Sequence, residues 1–314
     1  MNIERLLIAV DFSETALAAA RYAVECFAPG AEVVLLHVID PPTRPRFAKD
    51  KLPPEDLLEA TAREFATTHM RELTGRLSNA SSPSPSPSPS PSPSARLEIR
   101  VGKPFEVIAS VAQEIHATIV VIGPHGDRPR PWQFLGTTAD RIVRTSPVPV
   151  LVATAPTANP PRRILVPVDD DDIAAPTLKW TRTLADRFDA DVNLLHVWSN
   201  AVYSHVASMS YAANRNEADA RREIEKELRN AAEHWLNHLA RTGIARDRVA
   251  STIAWGSAGD VVVETARTFG AELIILGRNG TGLISGALLG RTTDTVLHGA
   301  RCPVLVVADR GRGG

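Results

Sequence analysis

The chain has little of what covalent or metal-held architectures need. Its two cysteines, Cys26 and Cys302, lie far apart and outside any C-x-x-C pattern. That excludes a disulfide framework and a thiolate zinc site, and a reducing compartment is the simplest reading. The net charge of −1 excludes the broad basic surface used to hold nucleic acid or anionic lipid. Long apolar runs are also missing. The opening MNIERLLIAVD sets only five consecutive apolar residues, Leu6 to Val10, behind Glu4 and Arg5. That is too short for a signal segment or a bilayer span. The expectation is a cytoplasmic protein with no nucleic-acid and no membrane partner. Catalytic signatures are absent too: there is no G-x-x-x-x-G-K-S/T loop, no G-x-S-x-G elbow and no Ser/His/Asp or Cys/His set placed by motif.

What is present is one unit written twice. LLIAVDFSETA (6–16) has its counterpart in ILVPVDDDDIA (164–174), and VVLLHV (33–38) in VNLLHV (192–197). VGKPFEVIASVAQEIHATIVVIGPHG (101–126) answers WGSAGDVVVETARTFGAELIILGRNG (255–280). SPVPVLVA (146–153) and RCPVLVVA (301–308) close the halves, with Cys302 set against Ser146 as a structural residue. His37 and His196 are 159 apart, whereas Gly102 and Gly256, Gly123 and Gly277, and Gly136 and Gly290 are each 154 apart. The first half therefore carries five extra residues (159 − 154) between its second and third strands, where SSPSPSPSPSPSPS (81–94) sits. Alternating Ser-Pro forms neither helix nor inner strand, so this insert reads as an exposed, extended spacer.

Each half alternates short β-branched strands with helical spacing. In the first half RLLIAV, EVVLLHVI, LEIRV, TIVVI and SPVPVLVA are the strands. Helices follow over SETALAAARYAVECFA with Ser13 as N-cap, and roughly over 55–77. In the second half NEADARREIEKELRNAAEHWLNHLA puts Ile224, Leu228, Ala231, Trp235 and Leu239 on one stripe. Five buried apolar strands separated by helices imply an α/β fold, a parallel doubly wound sheet in each half. The expected domains are 1–155, which includes the insert, and 160–308, with Pro160-Pro161 as the seam.

The glycine loop GPHGDRPRPWQFLGT (123–137) follows the fourth strand, where open α/β sheets bind ligands. Its glycines let main chain approach a ligand, and the next helix offers N–H groups to a phosphate. Thr137 and Thr138 start that helix, placed to cap it or to donate to the same anion. Asp11, ending the first strand, is placed to accept from a ribose. His125 lies inside the loop, within reach of a phosphate. GRNGTGLISGALLGR (277–291) repeats the glycine spacing.

The pattern G-x2-G-x9-G followed by Ser or Thr, with a strand-ending V-D near the start, resembles the universal stress protein family, and the whole is similar to its tandem two-domain members. The resemblance implies Rossmann-like domains of strand order 3-2-1-4-5 and, in many members, bound ATP, with or without magnesium. Carried over, it implies that Asp11 faces the adenosine, that the backbone of Val38 contacts adenine, and that Gly123, Gly126, Gly136 and Thr137 hold ribose and phosphates. A second site would comprise Asp169, Val197, Gly277, Gly280, Gly290, Arg291 and Thr292. There Arg291 stands where Ser or Thr is expected, and either pairs with a phosphate or blocks it.

The expected function is a nucleotide-dependent stress-response sensor or switch, at most a slow incidental ATPase, with no assigned catalytic residue. The alternative is a nucleotide-free dimerisation and docking scaffold. Expected partners are an adenine nucleotide, an unidentified protein, and the other half of the same chain in an intramolecular pseudo-dimer through the last strands, with a homodimer as a further option. No metal site is assigned. DDDD (169–172) reads as acidic residues at a helix start, His234 and His238 as a solvated helix face, and His37 and His196 as satisfied strand-end histidines.

Overall fold

The computed structural model describes residues 2–41, 54–79, 95–126, 135–168, 174–198, 248–278 and 289–307, with isolated helical positions at 222, 226 and 230. The Ser-Pro insert, the tetra-aspartate run, Arg128, Arg130, His234, His238 and the stripe from Ile224 to Leu239 lie outside the described residues. The chain divides into two compact units, Asn2–Pro160 and Pro161–Gly311.

In the first unit β1 (Arg5–Ala9), β2 (Glu32–Ile39), β3 (Arg96–Val101), β4 (Ile119–Ile122) and β5 (Val150–Val152) form a sheet in the order β3-β2-β1-β4-β5. All its pairings are parallel. Leu6, Leu7 and Ile8 of β1 and Val34, Leu35 and Leu36 of β2 are fully buried. Strands covered on both faces read as unbroken apolar runs, as these do. The helices are α1 (Glu14–Arg21), α2 (Glu55–Asn79), α3 (Pro104–Glu114) and α4 (Thr137–Thr145). Ser13 caps α1: its backbone is extended and its side chain accepts from the N–H of Ala16 at 3.1 Å.

The second unit repeats this with β6 (Arg163–Pro167), α5 (Ala174–Phe188), β7 (Asp191–Trp198), β8 (Val249–Trp255), α6 (Ala258–Phe269), β9 (Leu273–Gly277), α7 (Arg291–Gly299) and β10 (Val304–Val307). Its sheet order is β8-β7-β6-β9-β10, again parallel. Both units thus have the five parallel strands read from the repeat, in the 3-2-1-4-5 order that the resemblance implies.

The turns repeat as faithfully as the strands. Gly102 and Gly256 have φ of +146° and +141°, and each donates its N–H at 3.0 Å to the last residue of the neighbouring strand, Ile39 or Trp198. A Cβ at Gly102 would stand 2.8 Å from Val107 and one at Gly256 3.0 Å from Val261, so both φ and space demand glycine.

Two sequence readings are corrected. The helix expected over 13–28 is not uniform: α1 gives way to a π-helical stretch, Tyr22–Phe27. Its buried residues Tyr22, Ala23, Cys26 and Phe27 keep a spacing that both helix types satisfy, which hides the change in the sequence. The pairing of Cys302 with Ser146 is also off register. Pro149 and Pro303 play the same part, accepting from the N–H groups of Val120 and Ile274 at 3.0 Å each, so Cys302 corresponds to Val148.

Candidate functional site

In the first unit the chain leaves β1 at Ala9 and turns through Val10, Asp11 and Phe12 into α1. Asp11 stabilises that turn: its Oδ1 accepts from the N–H of Ser13 at 3.1 Å and from the Ser13 hydroxyl at 2.5 Å. Phe12 adopts φ +66°, uncommon for a residue with a Cβ. Its ring stacks on His37 at 4.3 Å. Successive β2 residues point to opposite faces. Leu36 and Val38 line a cavity on one side, and His37 lies on the other with Nδ1 2.8 Å from the carbonyl oxygen of Val10. Burial lowers the pKa of His37, against opposing effects of that bond and of Asp11, with nearby His69 pushing further down. His196 makes the equivalent contact with Val168 at 3.1 Å, so both strand-end histidines are satisfied.

The glycine loop leaves β4 beside this turn. The N–H of Gly136 donates to the carbonyl of Pro124 at 2.7 Å, closing the loop with main-chain atoms alone. Gly136 is the N-cap of α4, and among the described residues no side chain caps that helix. The expectation that Thr137 or Thr138 caps it is therefore not met. First-turn N–H groups of a helix lack intrahelical acceptors, and an uncapped N-terminus suits an anion.

The glycines are also closely surrounded by the protein's own atoms. A Cβ on Gly123 would lie 3.2 Å from Thr15 and Ala16. One on Gly126 would lie 2.6 Å from Oδ2 of Asp11, and one on Gly136 3.3 Å from Cα of His125. The protein's own atoms already occupy the space that a side chain would need. All three glycines are thus closely packed, Gly123 on α1, Gly126 on the Asp11 carboxylate and Gly136 on the loop itself.

Between these elements lies a cavity of about 450 Å³. Asp11, Val38, Gly123, His125, Gly126, Gly136, Thr137 and Thr138 all line it, so the fold brings together every position singled out in the first half. Ala9, Val10, Ala16, Leu36, Pro104, Ile108, Ile122, Ala139 and Ile142 complete the wall. These mostly apolar residues read in the sequence only as core. The one trace of them is the i,i+4 pair Pro104 and Ile108 at the start of α3, on a single helix face.

The second unit reproduces the loop closure. The N–H of Gly290 donates to Arg278 at 3.2 Å, and Gly290 is the N-cap of α7 with no side-chain cap. Gly277 ends β9, Val197 is half-buried near the end of β7, Arg291 is exposed and Thr292 half-buried. Asp169 and Gly280 lie outside the described residues. One difference escaped the sequence reading. Thr293, at the position of Ala139, is buried and its hydroxyl donates to the carbonyl of Gly277 at 2.9 Å.

Among the described residues no three His, Cys, Asp or Glu side chains are grouped to hold a metal ion. Among them, too, no helix is long and apolar enough to cross a membrane.

Comparison with known proteins agrees with this architecture. The model of the universal stress protein family matches residues 2–154 and again 161–308. A universal stress protein of Mycobacterium tuberculosis is 24% identical over 213 residues, 67% of each chain. Universal stress protein A homolog 2 of Coxiella burnetii is 31% identical over 151 residues, covering 48% of this chain and 97% of that one. The crystal structure of a universal stress protein from Archaeoglobus fulgidus superposes with a TM-score of 0.62 at 18% identity, covering 98% of this chain and 99% of that one. With both halves matched by the family model and the same fold in each, the chain belongs to the universal stress protein family as a tandem of two such domains.

Proposed function

We propose that the first domain binds an adenine nucleotide, ATP by preference, and that the protein acts as a nucleotide-dependent stress-response switch. One observation carries the reading: eight positions, six drawn from a family resemblance and two, His125 and Thr138, from the loop itself, line a single cavity that ends at the N-terminus of α4. In this reading Oδ2 of Asp11, the oxygen that Ser13 does not use, accepts from a ribose hydroxyl. The purine lies on the apolar wall beside the Val38 backbone. The phosphates meet the first turn of α4 and the hydroxyls of Thr137 and Thr138. Among the described residues Asp11 is the one carboxylate lining the cavity, so a magnesium ion would be held chiefly by phosphate and water. Among the described residues no Lys or Arg lines the cavity to clamp phosphates as phosphoryl transfer requires, and in this reading any hydrolysis is incidental.

A nucleotide-free scaffold is the second reading, and the packing of the three glycines against protein atoms favours it. Purified protein extracted under denaturing conditions and assayed for adenine nucleotide, with thermal unfolding followed across ATP concentrations, separates the two. A ligand that binds the native state raises the unfolding midpoint by mass action. A flat midpoint with no extracted nucleotide selects the scaffold.

A further inference from the structure

Thr15 touches the glycine loop twice without lining the cavity. Its hydroxyl donates to the carbonyl of His125. Its Oγ1 stands 3.2 Å from where a Cβ on Gly123 would be, so the loop is seated directly on this side chain. On its other side Oγ1 is 3.0 Å from the hydroxyl of Ser13. Ser13 is 1% exposed and spends its one proton on Asp11. The single Thr15 proton goes to the His125 carbonyl, so its contact with Ser13 carries no proton, and the link from the loop to the Asp11 turn runs through the short stretch of chain between Ser13 and Thr15.

We infer that Thr15 is a positioning residue: it ties the glycine loop to the Asp11 turn, so that the carboxylate and the loop reach a nucleotide as one rigid receptor. This rests on the nucleotide reading of the first domain. The repeat supplies the contrast. VDFSETA (10–16) aligns with VDDDDIA (168–174), which places Ile173 opposite Thr15. Isoleucine has no hydroxyl to donate, and the second domain still builds α5 and the Gly290–Arg278 closure. The fold does not need a threonine there. A threonine hydroxyl at this position belongs only to the half that keeps the full binding pattern.

The test compares wild type, Thr15→Val and Thr15→Ser in the full chain. ATP affinity is read by titration calorimetry, and amide exchange of the 119–126 segment is read without nucleotide. Loss of one buried hydrogen bond at the receptor predicts ATP binding weakened about tenfold in Thr15→Val. Thr15→Ser keeps the hydroxyl and stays within about twofold. Amide exchange in the segment accelerates in Thr15→Val alone. If wild type binds ATP and Thr15→Val binds it equally well, the inference is overturned while the nucleotide reading stands. If wild type binds no adenine nucleotide, that reading fails, and exchange decides the tie separately: unchanged protection in Thr15→Val overturns it. Equal loss of thermal stability in both variants assigns Thr15 to packing and also overturns it.

Discussion

The carboxylate of Asp11 fills the space beside Gly126 so closely that a Cβ there would sit 2.6 Å from Oδ2. The two residues are 115 positions apart (126 − 11) and belong to different loops of the sheet's C-terminal edge. Gly126→Ala therefore acts on Asp11 before it acts on any ligand. The methyl displaces the carboxylate, which Ser13 holds through Oδ1, and removes the acceptor offered to ribose. The expected outcome is ATP affinity reduced at least about tenfold, read by calorimetry. Unaltered affinity would show that Asp11 is not a ligand contact.

Ser13→Ala removes the cap of α1 and the donor to Asp11 together. Loss of a serine N-cap costs about 1 kcal/mol. For a unit of this size that lowers the thermal midpoint by about 2–4 °C. Differential scanning calorimetry measures it, and an unchanged midpoint rules out the capping role.

His37 makes stability depend on pH. Burial lowers its pKa below the ordinary histidine value of about 6.5, with the Val10 bond and Asp11 opposing and His69 assisting. In the window between the lowered folded value and 6.5, the unfolded chain binds the extra proton. Stability is then fully present above pH 6.5 and falls as the solution is acidified through that window. Denaturant midpoints at pH 7.5 and 5.5 should differ more for wild type than for His37→Gln. Equal slopes would remove His37 from the account.

Both thiols are sheltered. Burial pushes Cys302 up to about 12, with Glu272 adding to the rise, and burial raises Cys26 as well, with Glu25 contributing. At pH 8 neither thiolate is populated enough to react quickly. A disulfide-exchange reagent should therefore find almost no free thiol in native protein and two per chain after denaturation. Rapid native labelling would contradict the burial.

Occupancy should be unequal between the halves. Thr293 places a hydroxyl where the first cavity has Ala139, and Arg291 opens α7 in place of a serine or threonine. Calorimetric stoichiometry is expected near one ATP per chain, an inference from side-chain bulk and loop chemistry. A value near two would show that neither substitution closes the second site.

Much of the fold was legible because burial on both faces leaves strands such as Leu6–Ile8 with no polar alternation, and because the duplication displays each element twice. The polar rim of the site was legible for the same reason: Asp11, Gly123, Gly126 and Gly136 keep fixed spacing from strand ends. Its apolar wall was not. Ile108, Ile122 and Ile142 come from three elements, and nothing local separates them from ordinary core. The purpose of the glycines was not legible, because a missing side chain records only that space is scarce. Whether ligand or protein fills that space appears once Thr15, Asp11 and His125 have coordinates.

The bond closing each glycine loop, Gly136 to Pro124 and Gly290 to Arg278, spends no side-chain atom. Mutation elsewhere in either segment leaves that clasp intact. A half closed in this way can exchange the side chains around its clasp without unravelling, so the two copies are free to diverge in what they recognise while keeping one shape.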